Sequence, residues 1–209
     1  LPFYGDLAAI GTIADIMLLE GENRRIVKAG LALLQQTERP GIAALIEACG
    51  LGGKELTAEN VSFGLAPRLN AAGRMDSAAA ALELLLCEDP EEAEAIVAGL
   101  EAQNAARQKA EQDILQGVLD SVAADETYGA DRILVVWGRG YHQGVIGIVA
   151  SRVVERFGKP AIIVSVDENG EGKGSGRSIA GVSLYNAIAA CGDLLIRFGG
   201  HALAAGLSV

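Results

Sequence analysis

"RILVVWG" (132–138), "GVIGIVASRVVERFG" (144–158) and "PAIIVSVD" (160–167) follow one another closely, and their order decides the fold. The first and third are short β-branched, apolar runs of the kind found in buried strands. The second spaces its apolar residues at helical intervals. Strand, helix, strand predicts a βαβ unit inside an α/β domain. Further on, "ENGEGKG" (168–174) reads as a turn and "GSGRSIAG" (174–181) as another strand. "SLYNAIAAC" (183–191) then reads as a helix and "HALAAGLSV" (201–209) as a closing strand.

Upstream the texture is different. Up to about residue 125 the chain is helical in pattern and rich in alanine, leucine and glutamate. "GENRRIVKAGLALL" (21–34) carries helical periodicity, Pro40 suits the first turn of another helix, and Thr57 can cap a short one. "DPEE" (89–92) is a helix-start signal, and no breaker beyond isolated glycines follows before Ala124. A helix that long, polar along part of its surface, bridges two units more readily than it fills one core. The expected fold class is α/β. It comprises a helical segment over 1–88, a long connecting helix over 89–127 and a small mixed α/β domain over 128–209.

Half of the 209 residues are hydrophobic, enough for a sizeable core. No apolar run approaches the ~20 residues of a membrane span, and no membrane partner is expected. The opening "LPFYGDLAAIGTIAD" has no basic leader before its apolar run, so a signal peptide is not expected. With no initiator methionine and a pattern already under way, the chain reads as a piece of a longer protein. Cys49, Cys87 and Cys191 are odd in number and far apart, matching neither a disulfide framework nor zinc spacing. A reducing, cytoplasmic setting follows as the expectation.

The net charge of −10 argues against nucleic acid when taken as a sum, but the distribution matters more. Residues 1–130 carry 9 basic and 21 acidic side chains, whereas residues 131–209 carry 8 basic and 6 acidic ones. A nucleic-acid site would therefore be a local groove in the second part. Three glycine-rich stretches lie there: "GRGYHQGVIG" (138–147), "GKGSGRS" (172–178) and "FGGHALAAG" (198–206). Glycine lets backbone amides approach an anion, and the amino end of a following helix adds partial positive charge. His142 sits in the first stretch, just before such a helix. Ser175, Arg177 and Ser178 offer two hydroxyls and a forked guanidinium suited to phosphate oxygens. Gly199, Gly200 and His201 place an imidazole on bare backbone; the plain alternative is a turn whose histidine bonds a neighbouring carbonyl.

In the acidic part, Asp15 interrupts an apolar stretch nine residues after Asp6. A carboxylate buried there would be paired, capping or metal-bound, and spacing alone favours a cap or an ion pair. "FGLAPRLNAAGRMD" (63–76) gathers Arg68, Asn70 and Arg74 beside an exposed-looking turn, which suits either a solvated face or a backbone-phosphate contact.

"GTIADIMLLEGENRRIVKAGL", "FGLAPRLNAAGRM", "YHQGVIGIVASRVVERFGKPAIIVS", "GSGRS" and "FGGHALAAGLS", in this order, resemble the RecJ single-strand-specific exonucleases of the DHH phosphoesterase superfamily. The resemblance covers nearly the whole chain. The Gly-Gly-His turn is common to the superfamily, while Asn-Ala-Ala-Gly-Arg is more particular to RecJ. The resemblance implies a metal-binding DHH domain joined by a long helix to a DHH-associated domain, with single-stranded DNA held between them. It implies 5′-to-3′ degradation of DNA with Mn2+ or Mg2+, in recombination and repair. Residue by residue, it makes Asp15 a metal ligand and sets Ser175 and Arg177 near a 5′-terminal phosphate. It makes Gly199, Gly200 and His201 a substrate-binding turn, and Arg74, with Arg68 and Asn70, a strand-contacting segment; His142 and Ser178 complete the expected nucleic-acid-binding set.

One departure limits this reading. The Asp-His-His stretch that names the superfamily is absent, and both histidines, His142 and His201, lie in the second part. The chain by itself is therefore expected not to assemble that metal centre and to be inactive alone. The rival readings are another DHH phosphoesterase (an oligoribonuclease or a cyclic-dinucleotide phosphodiesterase), an inactive RecJ-like replication scaffold, and an α/β module for a small phosphorylated ligand.

Overall fold

In the computed structural model, residues 3–209 are described, and the chain divides into two compact units, Leu1–Ala106 and Arg107–Val209. The first unit is helical: α1 (Gly5–Ala14), α2 (Gly21–Leu34), α3 (Pro40–Ala48), α4 (Ala58–Asn60), α5 (Ala66–Met75) and α6 (Ala79–Leu86), with the beginning of α7 (Pro90–Ala124). The local signals act as expected. Pro40 opens α3, Thr57 and Asn60 form a reciprocal capping box on α4, and Asp89 Oδ1 accepts the Glu91 and Glu92 N–H groups before α7.

Gly30 sets how closely α2 packs on α1. A Cβ there would lie 2.2 Å from Ala9 Cβ and 2.4 Å from the Gly5 carbonyl oxygen. Around that contact Ile10, Ile13, Val27, Leu34, Ile42 and Leu45 are buried, joined by Val97 and Leu100 of α7. Asp6 is the buried carboxylate of this region, and it accepts from Arg39 Nε at 2.8 Å. The stretch 63–76 departs from the expected exposed turn. A π-helical turn, Val61–Leu65, runs straight into α5, with Pro67 in the first turn of α5.

In the second unit the rest of α7 and a short α8 (Thr127–Ala130) precede the α/β part. There follow β1 (Leu134–Arg139), α9 (Ile146–Phe157), β2 (Ala161–Val166), β3 (Gly172–Arg177), α10 (Leu184–Ala189), β4 (Arg197–Gly200) and β5 (Ala204–Ser208). β1 and β2 are parallel with α9 as their crossover, so the expected βαβ unit is present. The remaining strands pair antiparallel, giving one mixed sheet in the order β1-β2-β3-β5-β4.

Two strand expectations need correction. The third strand is Gly172–Arg177, beginning inside the expected turn and ending before Ser178. "RFGG", expected as part of a turn, is the edge strand β4, because β5 offers it a complete ladder from Arg197↔Ser208 to Gly200↔Ala205. Gly200 makes the hairpin possible: its φ is 139°, and a Cβ would stand 2.4 Å from the Ala204 carbonyl oxygen.

Candidate nucleic-acid interface

The alternation of β3 builds the site. In "GKGSGR" the glycines turn one way, and Lys173, Ser175 and Arg177 turn the other. The glycine side packs tightly: a Cβ on Gly176 would reach within 2.5 Å of Leu184 on α10, and one on Gly174 within 2.9 Å of Leu207. The polar side continues across the ladders, since residues opposite one another share a face. Lys173, Ser208 and Arg197 form one transverse row; Ser175, Gly206 and Gly199 form the next. Arg177 pairs with Ala204, whose carbonyl oxygen accepts the His201 N–H at 2.7 Å. The first row carries cations, and the second is almost bare backbone.

These rows floor a depression of about 470 Å3, walled by Gln143 and Ile146 at the amino end of α9. Among the described residues its lining holds the cations Lys173 and Arg197 and no carboxylate. Arg177 Nη1 donates to the Gly176 carbonyl at 2.9 Å and to Ser175 Oγ at 3.3 Å, which holds guanidinium and hydroxyl side by side. Gly147 of α9 leaves room for them: a Cβ there would come within 2.9 Å of Ser175 Oγ and 3.2 Å of Arg177 Nη2. Arg197 Nε lies 3.4 Å from Ser208 Oγ.

Sequence reasoning passed over Lys173, Arg197, Ser208 and Gln143. The period-2 alternation of "GKGSGR" carried the signal for Lys173, and Arg197 stands two residues before Gly199 on the same strand. Ser178 lies outside β3, and its hydroxyl donates to the Val182 carbonyl at 2.8 Å, closing a turn. His142 also shapes a turn: its Nδ1 accepts the Gly144 N–H at 3.2 Å, and its carbonyl accepts from Val145 and Ile146 at the start of α9. The Ser165 hydroxyl, buried, donates to the Tyr141 carbonyl and fixes the same turn, while burial raises the Tyr141 phenol above its ordinary value. His201 is exposed on the β4–β5 hairpin.

In the first unit, Asp15, Asn70 and Arg74 line a depression of about 440 Å3 together with Gly11 and Ala14. Asn70 and Arg74 are four apart on α5 and so share a face. Arg68 faces elsewhere, pairing with Glu101 through Nε and donating from Nη1 to the Gly64 carbonyl at 2.9 Å. Asp15 is exposed at the carboxyl end of α1, where the helix dipole disfavours an anion. Its position in an apolar stretch does not mean burial, because Ile16, Met17 and Leu18 beside it are exposed too. Ile16 has a φ of 55°, a strained conformation for a β-branched residue. A divalent ion needs several oxygen or nitrogen donors. Among the described residues no three His, Cys, Asp or Glu side chains converge, so this chain's own donor set does not fit a metal centre.

Residues 130–209 match the DHHA1 domain family. The mixed sheet with its cationic and glycine rows is therefore that of a DHHA1 domain. Over 98% of its length the chain is 44% identical to the single-stranded-DNA-specific exonuclease RecJ of Bacillus subtilis (strain 168), covering 26% of that protein. The crystal structure of RecJ in complex with Mg2+ from Thermus thermophilus matches 99% of the chain with a TM-score of 0.86 at 41% identity, over 31% of that structure. A crystal structure of exonuclease RecJ bound to manganese matches 99% of the chain with a TM-score of 0.83 at 42% identity, over 50% of that structure. Over nearly its whole length the chain is thus similar to RecJ exonucleases. It spans between 26% and 37% of the length of curated relatives such as those of B. subtilis and Escherichia coli (strain K12).

Proposed function

We propose that this chain is part of a 5′-to-3′ single-stranded-DNA exonuclease that serves recombination and repair in the cytoplasm. In this reading residues 1–88 belong to a DHH phosphoesterase domain, 89–127 connect, and 128–209 are the DHH-associated, nucleic-acid-binding domain. Hydrolysis depends on Mn2+ or Mg2+, to which Asp15 contributes one ligand of several; the chain alone is inactive because the other ligands are not in it. Asn70 and Arg74, beside Asp15, contact the strand, and His201 faces it from the hairpin. His142 and Ser178 serve indirectly, by shaping the turns that flank the sheet.

The observation that carries the reading is the pairing of Ser175 with Arg177 beneath Gly147, next to a floor of bare backbone. One guanidinium nitrogen is spent on holding that arrangement, and among the described residues the others take no partner. A fork and a hydroxyl suit a terminal phosphate, which has free oxygens and extra charge that an internal linkage lacks. A contact of this kind is worth about 1.5–3 kcal/mol, or roughly ten- to a hundredfold in affinity. Attraction to backbone charge alone gives no end preference, because it treats every phosphate alike.

The test compares oligothymidylates bearing a 5′-phosphate or a 5′-hydroxyl, titrated into this chain and its Arg177→Ala variant at fixed salt. The wild-type chain should prefer the phosphorylated end about tenfold or more, and the variant should lose that preference. Equal loss for both ends would reduce Arg177 to an ordinary backbone contact.

A further inference from the structure

We infer that Lys173, Arg197 and Ser208 form a subsite for the outer phosphates of a strand whose 5′ end carries a di- or triphosphate. The inference rests on the reading that Ser175 and Arg177 hold the phosphate borne by the first nucleotide. It adds a ligand class that this reading does not need.

The bond that a 5′-to-3′ exonuclease cuts lies on the 3′ side of the first nucleotide. That linkage belongs with the metal ligands, Asp15 among them, and not on the sheet. A monophosphorylated end is satisfied at Ser175 and Arg177, yet the depression runs on past Ser175 to Lys173, Arg197 and Ser208. Lys173 lies two residues before Ser175 on β3, so the two rows are one pleat repeat apart, about 6.7 Å. A pair of phosphoanhydride bridges spans a similar length. A third phosphate joined through them to the one at Arg177 therefore reaches the row, and the bare backbone of Gly206 and Gly199 leaves the way open.

The donors of the row suit that occupant better than a base or a sugar. Lys173 and Arg197 pair with the same residue, Ser208, from opposite sides, so ammonium, hydroxyl and guanidinium stand in line. Both cations are exposed, and neither forms a salt bridge among the described residues. A base edge or a sugar brings no charge to balance them, whereas each added phosphate brings negative charge and free oxygens. A lysine and an arginine that only keep a surface soluble need neither a shared row nor a hollow free of carboxylates. A Cβ on Gly199 would meet nothing, so close packing within the protein does not demand glycine there. Strand ends of this kind arise when a polymerase starts a chain from a nucleoside triphosphate instead of extending a primer. The row lets such an end dock with its outer phosphates in place.

The test titrates thymidine 5′-mono-, di- and triphosphate into this chain at fixed salt and without divalent cations. Thermal melting of each variant establishes that it is folded. The wild-type chain should bind the triphosphate about tenfold or more tighter than the monophosphate, with the diphosphate between them. In the Lys173→Ala, Arg197→Ala double variant that ratio should fall to about twofold or less, with monophosphate affinity unchanged. The charge-conserving Lys173→Arg, Arg197→Lys variant should keep the ratio. So should Arg24→Ala, Lys28→Ala, which removes as much charge from α2. Arg177→Ala should weaken all three nucleotides. A triphosphate preference that is absent in the wild type, undiminished in the first double variant, or lost equally in the α2 variant would overturn the subsite and leave the 5′-phosphate reading intact. Weakened monophosphate binding in the first double variant would also overturn it, by merging the row with the terminal-phosphate site. If Arg177→Ala leaves monophosphate binding untouched, the 5′-phosphate reading falls and the subsite falls with it.

Discussion

The sheet depression of the second unit and the helical depression of the first collect their residues by different physics. In the sheet, ladder register alone brings Lys173, Ser208 and Arg197 together, although they are far apart in sequence, and sets Ser175 beside two glycines. The group is self-sufficient: cations, hydroxyls and bare backbone share one face. The helical depression gathers Asp15, Asn70 and Arg74 through the i,i+4 geometry of α5 and the end of α1, and supplies a single carboxylate. The first arrangement can hold an anion by itself. The second can only contribute to a larger centre. A sheet face of cations and bare backbone is complete in one small domain, while a metal centre needs donors from many segments.

The widest gap between the two kinds of residue should appear in the glycines. Gly200→Ala forces a side chain onto the Ala204 carbonyl at a φ that disfavours it, and should cost about 3 kcal/mol or more by thermal unfolding, with loss of the hairpin. Gly199→Val, one residue away, should leave the melting temperature nearly unchanged yet weaken strand binding about tenfold, because it fills the floor and not the core. Normal strand affinity in folded Gly199→Val would mean that nothing lies on that floor.

Arg68 tests the contrast from the helical side. Arg68→Ala removes the pair with Glu101 and the bond to the Gly64 carbonyl, both partly buried, and should cost about 1–3 kcal/mol of stability. Strand affinity should stay within about twofold of wild type. A large affinity loss in the folded variant would assign Arg68 to the strand instead.

Metal-dependent chemistry sharpens the same comparison. Incubated with 5′-phosphorylated single-stranded DNA and Mn2+, this chain should release no nucleotides above background. Release by the purified chain, abolished by Asp15→Ala, would show that the first unit is more complete than its donor set implies.

The smallest effect lies outside both depressions. Asp125 accepts from the Thr127 hydroxyl and N–H at 2.7 and 2.9 Å, and these bonds hold its carboxyl below the ordinary range. A lowered carboxyl value stabilises the fold above the ordinary carboxylate range, and the contribution fades as pH falls through the folded value. A carbon-detected NMR titration should give an Asp125 midpoint below the reference of about 3.9. A midpoint at or above the reference would mean that the turn before α8 is open in solution.

Much of this was legible in the residues. The βαβ unit, the long helix and the Pro40 and Thr57 signals depend on local pattern, which a sequence carries directly. Ser175 and Arg177 could be seen as a pair because two residues on a strand share a face. Lys173 obeys the same rule and was hidden only by reading "ENGEGK" as a turn. Arg197 and Ser208 were out of reach, since their juxtaposition depends on a β4–β5 register that glycine-rich sequence does not advertise. Ser178 and His142 each close a turn, and sequence alone does not separate that role from facing a ligand, because a hydroxyl or imidazole beside a glycine looks the same in both. Asp15 is a different case: an apolar neighbourhood in sequence became an exposed one in the structure, while Asp6 took the buried place.

The central claim is that the 5′ end of a single strand is held on the polar face of the sheet, beside α9. The most direct measurement is backbone amide chemical-shift mapping of this chain during titration with a 5′-phosphorylated oligothymidylate. The account predicts the largest shifts at Gly147, Lys173, Ser175, Arg177, Gly199 and Gly206, with little change at Trp137 on the outer side of β1. Shifts centred on Val135 and Trp137, with the glycine rows silent, would contradict it.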